Sequence, residues 1–187
     1  MSYVRPLETV DVNFMSDRFL GEWCCLYTYD EWFETKNGYN VKANYRKNDR
    51  DTITVINSYI QVGTFLHPKR LVVATGEATP VKDEPGHALV SFDPLRLFHG
   101  DYRIVFHTYD SSEKSMIVTG KNARRHAWIL VRDPTMTPTK AFEFIQKNIE
   151  HFNLDKLRPV AIAHPEFLSI KPLVTEHDKN ENNQLVI

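Results

Sequence analysis

The 187-residue sequence predicts an all-β fold, an eight-stranded antiparallel up-and-down β-barrel with one C-terminal α-helix packed on the outside. Three observations favour it: apolar and polar residues alternate between Gly21 and Arg132, turn-forming residues separate the alternating segments, and a single helical periodicity follows them. Eight antiparallel strands joined by hairpins can close into a barrel, which leaves no exposed sheet edge. A two-sheet sandwich is the alternative that the same pattern permits.

The first three strands follow from residue parity and from one turn. In each of the first two strands, side chains of one parity are apolar or aromatic, which predicts a buried face. These faces comprise Trp23, Cys25, Tyr27 and Tyr29 in the first strand and Tyr39, Val41, Ala43 and Tyr45 in the second. The polar segment 47–51 predicts a tight turn, and the β-branched segment 52–62 is expected to return as the third strand.

Five more strands and one helix complete the predicted fold. The strands are expected around residues 71–79, 87–92, 101–108, 115–119 and 125–132. The helix is predicted over about residues 137–152, with Thr137 as its N-cap and Pro138 at its first position. Its apolar stripe consists of Phe142, Ile145, Ile149 and Phe152. Residues 158–163 are predicted to add a short ninth strand.

Chain length and composition indicate one folded domain with two tails. We expect residues 1–13 to be an N-terminal extension, 14–165 to be the barrel with its helix, and 166–187 to be a polar, flexible C-terminal tail. The chain has 23 Lys and Arg against 24 Asp and Glu, and the resulting net charge of -1 offers no basis for nucleic acid as a partner. A monomer or weak dimer is expected.

The sequence also predicts a compartment. It contains no apolar run approaching the roughly 20 residues of a transmembrane helix, and residues 1–18 lack the apolar stretch of a secretory signal. The two cysteines, Cys24 and Cys25, are adjacent, so a disulfide between them would be strained. We therefore expect a cytoplasmic protein, at most peripheral to a membrane. A secreted or periplasmic location is expected only if a signal peptide has been removed.

Several short motifs, in order and at the right intervals, resemble the lipocalin family over about residues 14–163. Gly21-Glu22-Trp23 opens the first strand, Trp128-Ile129-Leu130-Val131-Arg132 ends the eighth, and a single helix follows. Further motifs are most similar to the bacterial outer-membrane, plant temperature-induced and apolipoprotein D-like lipocalins: Asn13-Phe14, Val55-Ile56-Asn57, Gly76-Glu77-Ala78 and Gly100-Asp101-Tyr102. The resemblance implies that Gly21, Trp23 and Arg132 are structural, with Arg132 lying over the Trp23 ring at one end of the barrel.

Strand parity, with the Trp23 and Arg132 faces taken as inward, predicts the lining of the barrel. The apolar lining comprises Val41, Tyr45, Val55, Tyr59, Ala74, Gly76, Val90, Phe92, Ile104, Phe106, Trp128 and Leu130. Four polar side chains of the same parity are expected to orient a ligand's head group near the mouth: Tyr27, Tyr29, Asn57 and His126. The resemblance implies a fatty acid or lysophospholipid as the partner and no cofactor. The alternative is a barrel filled by its own side chains.

The loop after the fifth strand combines apolar and basic residues. If the barrel is open at that end, Leu95, Arg96, Leu97 and Phe98 are candidates for contact with an anionic membrane surface. The alternative is that the apolar members fold back over the cavity as a lid.

Three other functions are weighed against lipid binding. Cys25 shares the inward parity and is the candidate catalytic residue of a thiol-dependent isomerase or peroxidase, which would need an activating cation near the sulfur. A barrel that binds haem or another chromophore would use His126, predicted to face inward, or His107, predicted to face outward, as an axial ligand. The histidine spacing is not typical of a metal site, so no metal is predicted. A β-domain that binds only other proteins is the third option.

Overall fold

The computed structural model describes residues 6–29, 38–63, 68–92, 97 and 99–162, and within them the strands form one closed barrel. The barrel strands are β1 (Gly21–Thr28), β2 (Gly38–Lys47), β3 (Ile53–Gln61), β4 (Arg70–Pro80), β5 (His87–Ser91), β6 (Gly100–His107), β7 (Ser115–Thr119) and β8 (Ala127–Val131). Each strand is antiparallel to the next, and β1 pairs with both β2 and β8. The predicted eight-stranded up-and-down barrel is confirmed, and the sandwich alternative is excluded.

The helix after the barrel is shorter than predicted. It is α1 (Thr139–Lys147), followed by two 3-10 turns at Ile149–His151 and Leu154–Lys156. The Asn148 side chain donates a hydrogen bond to Phe144 O at 2.9 Å, which satisfies one of the last free carbonyls of the helix. No helix in the described part of the chain is long and apolar enough to cross a membrane.

The predicted N-cap of this helix is wrong, because Pro138 rather than Thr137 occupies the cap position and provides no side-chain hydrogen bond. A carboxylate from the turn between β6 and β7 supplies the missing acceptor. Glu113 is buried, and its Oε2 accepts a hydrogen bond from Lys140 N at 3.0 Å. Its Oε1 accepts another from Ser115 Oγ at 2.6 Å. The helix start is therefore joined to the barrel by one buried side chain.

The segment after the 3-10 turns completes the barrel wall. β1 pairs with β2 only along residues 21–24. Beyond that point β1 pairs with a short ninth strand, β9 (Arg158–Pro159), and Val160 N donates to Leu26 O at 2.8 Å. On the other side Asn40 N donates to Ala161 O at 2.6 Å. Residues 158–161 thus bridge two strands that have separated.

Three of the described strands contain one extra residue relative to their partners. The extra residue is Leu26 in β1, Val105 in β6 and one of residues 40–41 in β2. Because side chains alternate between the two faces of a strand, each insertion reverses which later side chains face the interior.

Buried side chains form two clusters, one on each side of the wall. The interior cluster includes Trp23 and Phe19, and the segment predicted as an N-terminal extension contributes Val12 to it. The outer cluster lies between the wall and α1, and it contains Ala141 and Ile145 of the helix.

Candidate functional site

One end of the barrel is closed by a stacked tryptophan and arginine. The Arg132 guanidinium lies 3.9 Å from the centroid of the Trp23 ring. It also donates to four backbone carbonyls within residues 18–22, at 2.6 to 3.1 Å. Gly21 has a φ of 95°, and a Cβ at this position would lie 3.3 Å from Arg132 Nη1. The structure therefore contains the packing that the resemblance implies for these three residues.

Tyrosines occupy the barrel interior next to the Trp23–Arg132 stack. The hydroxyl groups of Tyr45 and Tyr102 lie 2.7 Å apart, and Tyr109 OH donates to Met116 Sδ at 3.5 Å. Burial raises the pKa of all three phenols above the ordinary tyrosine value, so they stay neutral in the folded protein. Four residues predicted to line a ligand site lie in this packed cluster instead of on an accessible surface: Tyr45, Val55, Ile104 and Leu130.

The inner wall of β3 and β4 is accessible toward the other end. Asn57 pairs with Ala74, and Tyr59 pairs with Val72. Ala74 is exposed although its register places it on the inner face, whereas the other three are half-buried. An inward-facing side chain is exposed only where the lumen opens to solvent, so this end is the mouth. Three other predicted lining residues are also half-buried: Val41, Val90 and Trp128.

Two of the predicted lining residues contact each other near the mouth. The Phe92 ring lies over Gly76, where a Cβ would come within 2.7 Å of Phe92 Cδ1 and 2.5 Å of Ser91 O. Only glycine permits this approach, because the second contact is with rigid backbone. Phe92 is 42% exposed, so its ring forms part of the accessible rim.

The predicted inward orientation of Tyr27 and Tyr29 is wrong. The extra residue Leu26 reverses the parity of β1 and turns both tyrosines outward into the cluster beneath the helix. The Tyr27 ring packs against Phe142 with centroids 5.0 Å apart, and Tyr29 OH accepts a hydrogen bond from Asn153 N at 2.8 Å. Burial raises the pKa of Tyr27 to about 12. Neither tyrosine can orient a ligand inside the barrel.

The same extra residue brings Thr28 to the inner face, a position that the alternation pattern did not predict. Thr28 lies opposite Trp128 in the β1–β8 pairing, and Trp128 packs against the interior cluster. The signal in the sequence is the pair Leu26-Tyr27, two neighbouring apolar residues that a regular strand would place on opposite faces.

A matching reversal in β6 makes two further predictions wrong. Beyond the extra residue Val105, Phe106 faces outward and packs against Phe144 of the helix with ring centroids 5.0 Å apart. His107 turns inward, pairs with Met116 of the interior cluster and stacks on Tyr109 at 4.1 Å. A haem bound by His107 would need space that the buried tyrosines occupy.

His126 lies at the mouth and is exposed. Its ring stacks on that of Trp128 with centroids 6.3 Å apart. In the described residues, no three His, Cys, Asp or Glu side chains are close enough together to hold a metal ion.

The candidate thiol, Cys25, is buried in the interior cluster. Its Sγ donates a hydrogen bond to Tyr27 O at 3.5 Å. Burial raises the pKa of the neighbouring thiol of Cys24. Burial therefore disfavours the nucleophilic thiolate at Cys24.

A cation lies at the mouth on the inward-facing register of β4. Arg70 pairs with Gln61 of β3, two positions beyond the pair of Tyr59 and Val72. Its Nε donates to Gln61 Oε1 at 2.7 Å, and the residue is exposed. Lys69 is on the outer side of the wall, 5.2 Å from the centroid of the Tyr39 ring, since Tyr39 pairs with Ile60, which neighbours the inward-facing Tyr59. Arg70 therefore presents positive charge at the mouth.

Of the four candidates for membrane contact, the structure describes Leu97 alone, which is 69% exposed. Leu95, Arg96 and Phe98 lie outside the described residues.

The sequence is also similar to those of known proteins. Residues 13–161 match the model of a family described as a lipocalin-like domain. Temperature-induced lipocalin-1 from Arabidopsis thaliana is 26% identical over 159 residues, which cover 80% of this chain and 81% of that protein.

The fold of this chain is also similar to solved structures. Insecticyanin from the tobacco hornworm Manduca sexta superposes with a TM-score of 0.62 at 16% identity, covering 87% of this chain and 86% of the other. The cockroach allergen Per a 4 superposes with a TM-score of 0.57 at 15% identity, covering 83% of this chain and 95% of the other.

Proposed function

This chain belongs to the lipocalin family, whose fold supports the binding of small hydrophobic ligands, and we propose that it binds one fatty acid or lysophospholipid in its barrel. The observation that carries the proposal is Ala74, an inward-facing side chain that solvent reaches. Binding and carriage of a lipid require no covalent chemistry.

The part of the barrel interior between the packed tyrosines and the mouth suits an acyl chain. Its half-buried inner surface is mainly apolar and includes aromatic rings: Val41, Tyr59, Val72, Val90 and Trp128. Each methylene that leaves water contributes about 0.8 kcal/mol, so affinity should rise about fourfold per added carbon until the lumen is full. The packed tyrosines below set the depth that the chain can reach.

The head group would remain at the mouth. Arg70 places positive charge there, which favours a carboxylate or phosphate over a neutral head group. Asn57, half-buried on the inner wall, adds an amide that can donate or accept a hydrogen bond.

Substitution of Ala74 tests the proposal. Native mass spectrometry and calorimetric titration with saturated fatty acids and lysophosphatidylcholines should show one-to-one binding that strengthens with chain length. Ala74→Trp should weaken this binding by at least about tenfold, because the indole would occupy the lumen. Thr75→Trp is the matched control, since Thr75 is exposed on the opposite face of the same strand.

Two results would contradict the proposal. One is unchanged affinity in folded Ala74→Trp protein. The other is the absence of any lipid that titrates or copurifies with the wild-type protein, which would indicate a filled barrel.

We further propose that the open end contacts an anionic membrane surface, a role compatible with a cytoplasmic, membrane-peripheral location. Leu71 and Val73 face outward from β4 next to Arg70, and they are 65% and 52% exposed. Exposed apolar side chains beside cations suit a surface of anionic lipid. The protein should sediment with vesicles containing phosphatidylglycerol and release at high salt, and Leu71→Ser/Val73→Ser should weaken sedimentation. Equal recovery with neutral vesicles, or no effect of the double substitution, would contradict this role.

A further inference from the structure

The hydroxyl group of Thr28 is buried and has no hydrogen-bond partner among the residues that the structure describes. The residue is 7% exposed and is the last residue of β1, at the open end of the barrel. A buried hydroxyl without a partner is unfavourable, because folding removes its hydrogen bonds to water and replaces them with none. Valine would fill the same space without that cost, so the hydroxyl contributes nothing to the ligand-free fold.

The surroundings of Thr28 indicate what the hydroxyl can reach. Its register partner Trp128 packs on the interior cluster, so Thr28 shares the inner wall with that ring. His126 stacks on Trp128 further toward the rim. Thr28 is therefore placed where the head group of a lipid would lie if its tail occupied the lumen below.

The opposite wall carries the complementary charge. β4 lies three strands from β1 in the barrel order, and its first residue, Arg70, has the inward-facing register at the mouth. A head group between the two walls would meet a cation from one side and a hydroxyl from the other. Carboxylates and phosphates have several oxygen acceptors, so one group can accept from both.

We propose that Thr28 is a specificity-determining residue of the lipid site, whose Oγ1 donates a hydrogen bond to an anionic head-group oxygen, carboxylate or phosphate, of the bound lipid. This inference rests on the proposed function. It names a residue that the alternation pattern placed on the wrong face, and it specifies an oxygen acceptor as the chemistry that the site selects.

The experiment compares Thr28→Val, which keeps the shape without the hydroxyl, with Thr28→Ser, which keeps the hydroxyl. Each variant and the wild-type protein is titrated with dodecanoate and, separately, with lysophosphatidylcholine. Thr28→Val should weaken binding of at least one of these probes about three- to tenfold, the effect of losing one hydrogen bond. Thr28→Ser should stay within about twofold of wild type. The probe that is affected identifies the acceptor as carboxylate, phosphate or either.

Thermal unfolding of the ligand-free proteins is the second measurement. Thr28→Val should unfold at the same temperature as wild type or higher, because the unpaired hydroxyl has been removed. A lower temperature would show that the hydroxyl has a partner within the protein, and the inference would be wrong. Equal affinities of wild type and Thr28→Val for both probes would also overturn it, as would an equal loss in Thr28→Ser.

The titrations separate this inference from the proposed function. If wild type binds neither these nor other lipids, the proposed function fails and this inference fails with it. If wild type binds, Ala74→Trp blocks binding and Thr28→Val does not weaken it, then only the role of Thr28 is refuted.

Discussion

The two ends of the barrel differ in how far solvent reaches their inner walls. At the closed end Arg132 stacks on Trp23 and donates to four carbonyls, and the hydroxyl groups of Tyr45 and Tyr102 pair with each other. At the open end Ala74 is exposed on the inner wall, and the Thr28 hydroxyl is buried without a partner among the described residues.

This difference separates stability from binding within one barrel. A buried, hydrogen-bonded end stabilises the fold. An accessible end contributes less stability, and its inner wall can receive a ligand. Substitutions at the closed end should therefore change the free energy of unfolding, whereas those at the open end should change affinity.

Alkaline pH should lower the stability of the fold more than any substitution below, because it ionises buried tyrosines. Burial raises the pKa of Tyr27 to about 12, and it also raises the pKa of Tyr45, Tyr102 and Tyr109. The folded state therefore holds these protons after the unfolded chain has lost them, so stability is full below the ordinary tyrosine pKa of about 10 and falls as pH rises above it. Phenolate absorbance at 295 nm should rise together with loss of circular dichroism. Full ionisation in a still-folded protein would contradict this prediction.

Two tryptophans test the comparison directly. Trp23→Ala should lower the free energy of unfolding by about 3–5 kcal/mol, because the ring is fully buried at the closed end. Urea-induced unfolding measures this change. Trp128→Ala removes a half-buried ring at the open end, so it should cost less stability and weaken fatty-acid binding more. Equal losses of stability would show that the two ends do not differ in this way.

Arg132→Met should destabilise the protein by about 2–3 kcal/mol, since it leaves backbone carbonyls of residues 18–22 without their donor and removes the stacking on Trp23. Arg132→Lys, which keeps the charge but donates fewer hydrogen bonds in a fixed plane, should recover part of this loss. Urea unfolding at constant pH measures both variants. Full recovery with lysine would show that charge, not geometry, matters there.

Glu113→Ala should have the smallest effect, about 1 kcal/mol, because it removes the acceptor that caps α1. Fatty-acid affinity should not change, since Glu113 lies at the closed end. Glu143→Ala, an exposed position within the same helix, is the control. A loss of affinity in Glu113→Ala would mean that the two ends are coupled.

The strands were predictable from sequence because alternation is a local property of each segment. Which side chains of a strand point inward was predictable only as far as the first extra residue in that strand. Ala74 needs no correction because the β3–β4 pairing is regular, whereas Tyr27, Tyr29 and Phe106 lie beyond the insertions at Leu26 and Val105.

The reason for the two reversals lies in the helix. Phe142 and Phe144 of α1 need apolar partners on the outer wall, and Tyr27 and Phe106 provide them. This requirement depends on where the helix docks, which no strand encodes by itself. The Glu113 cap and the wall segment 158–161 likewise join parts of the chain whose pairing only the assembled fold specifies.

Closure of the wall by residues 158–161 has a consequence for the order of folding. β1 completes its pairing with β8 and β9, and Arg132 reaches carbonyls 110 to 114 residues earlier in the chain. During synthesis the hairpins from β2 to β7 can form as they emerge from the ribosome, but the parts of β1 and β2 that have separated from each other stay unpaired until Ala161 has been made. Contacts this distant in sequence slow folding, so the nascent barrel spends that interval with two unpaired edges exposed.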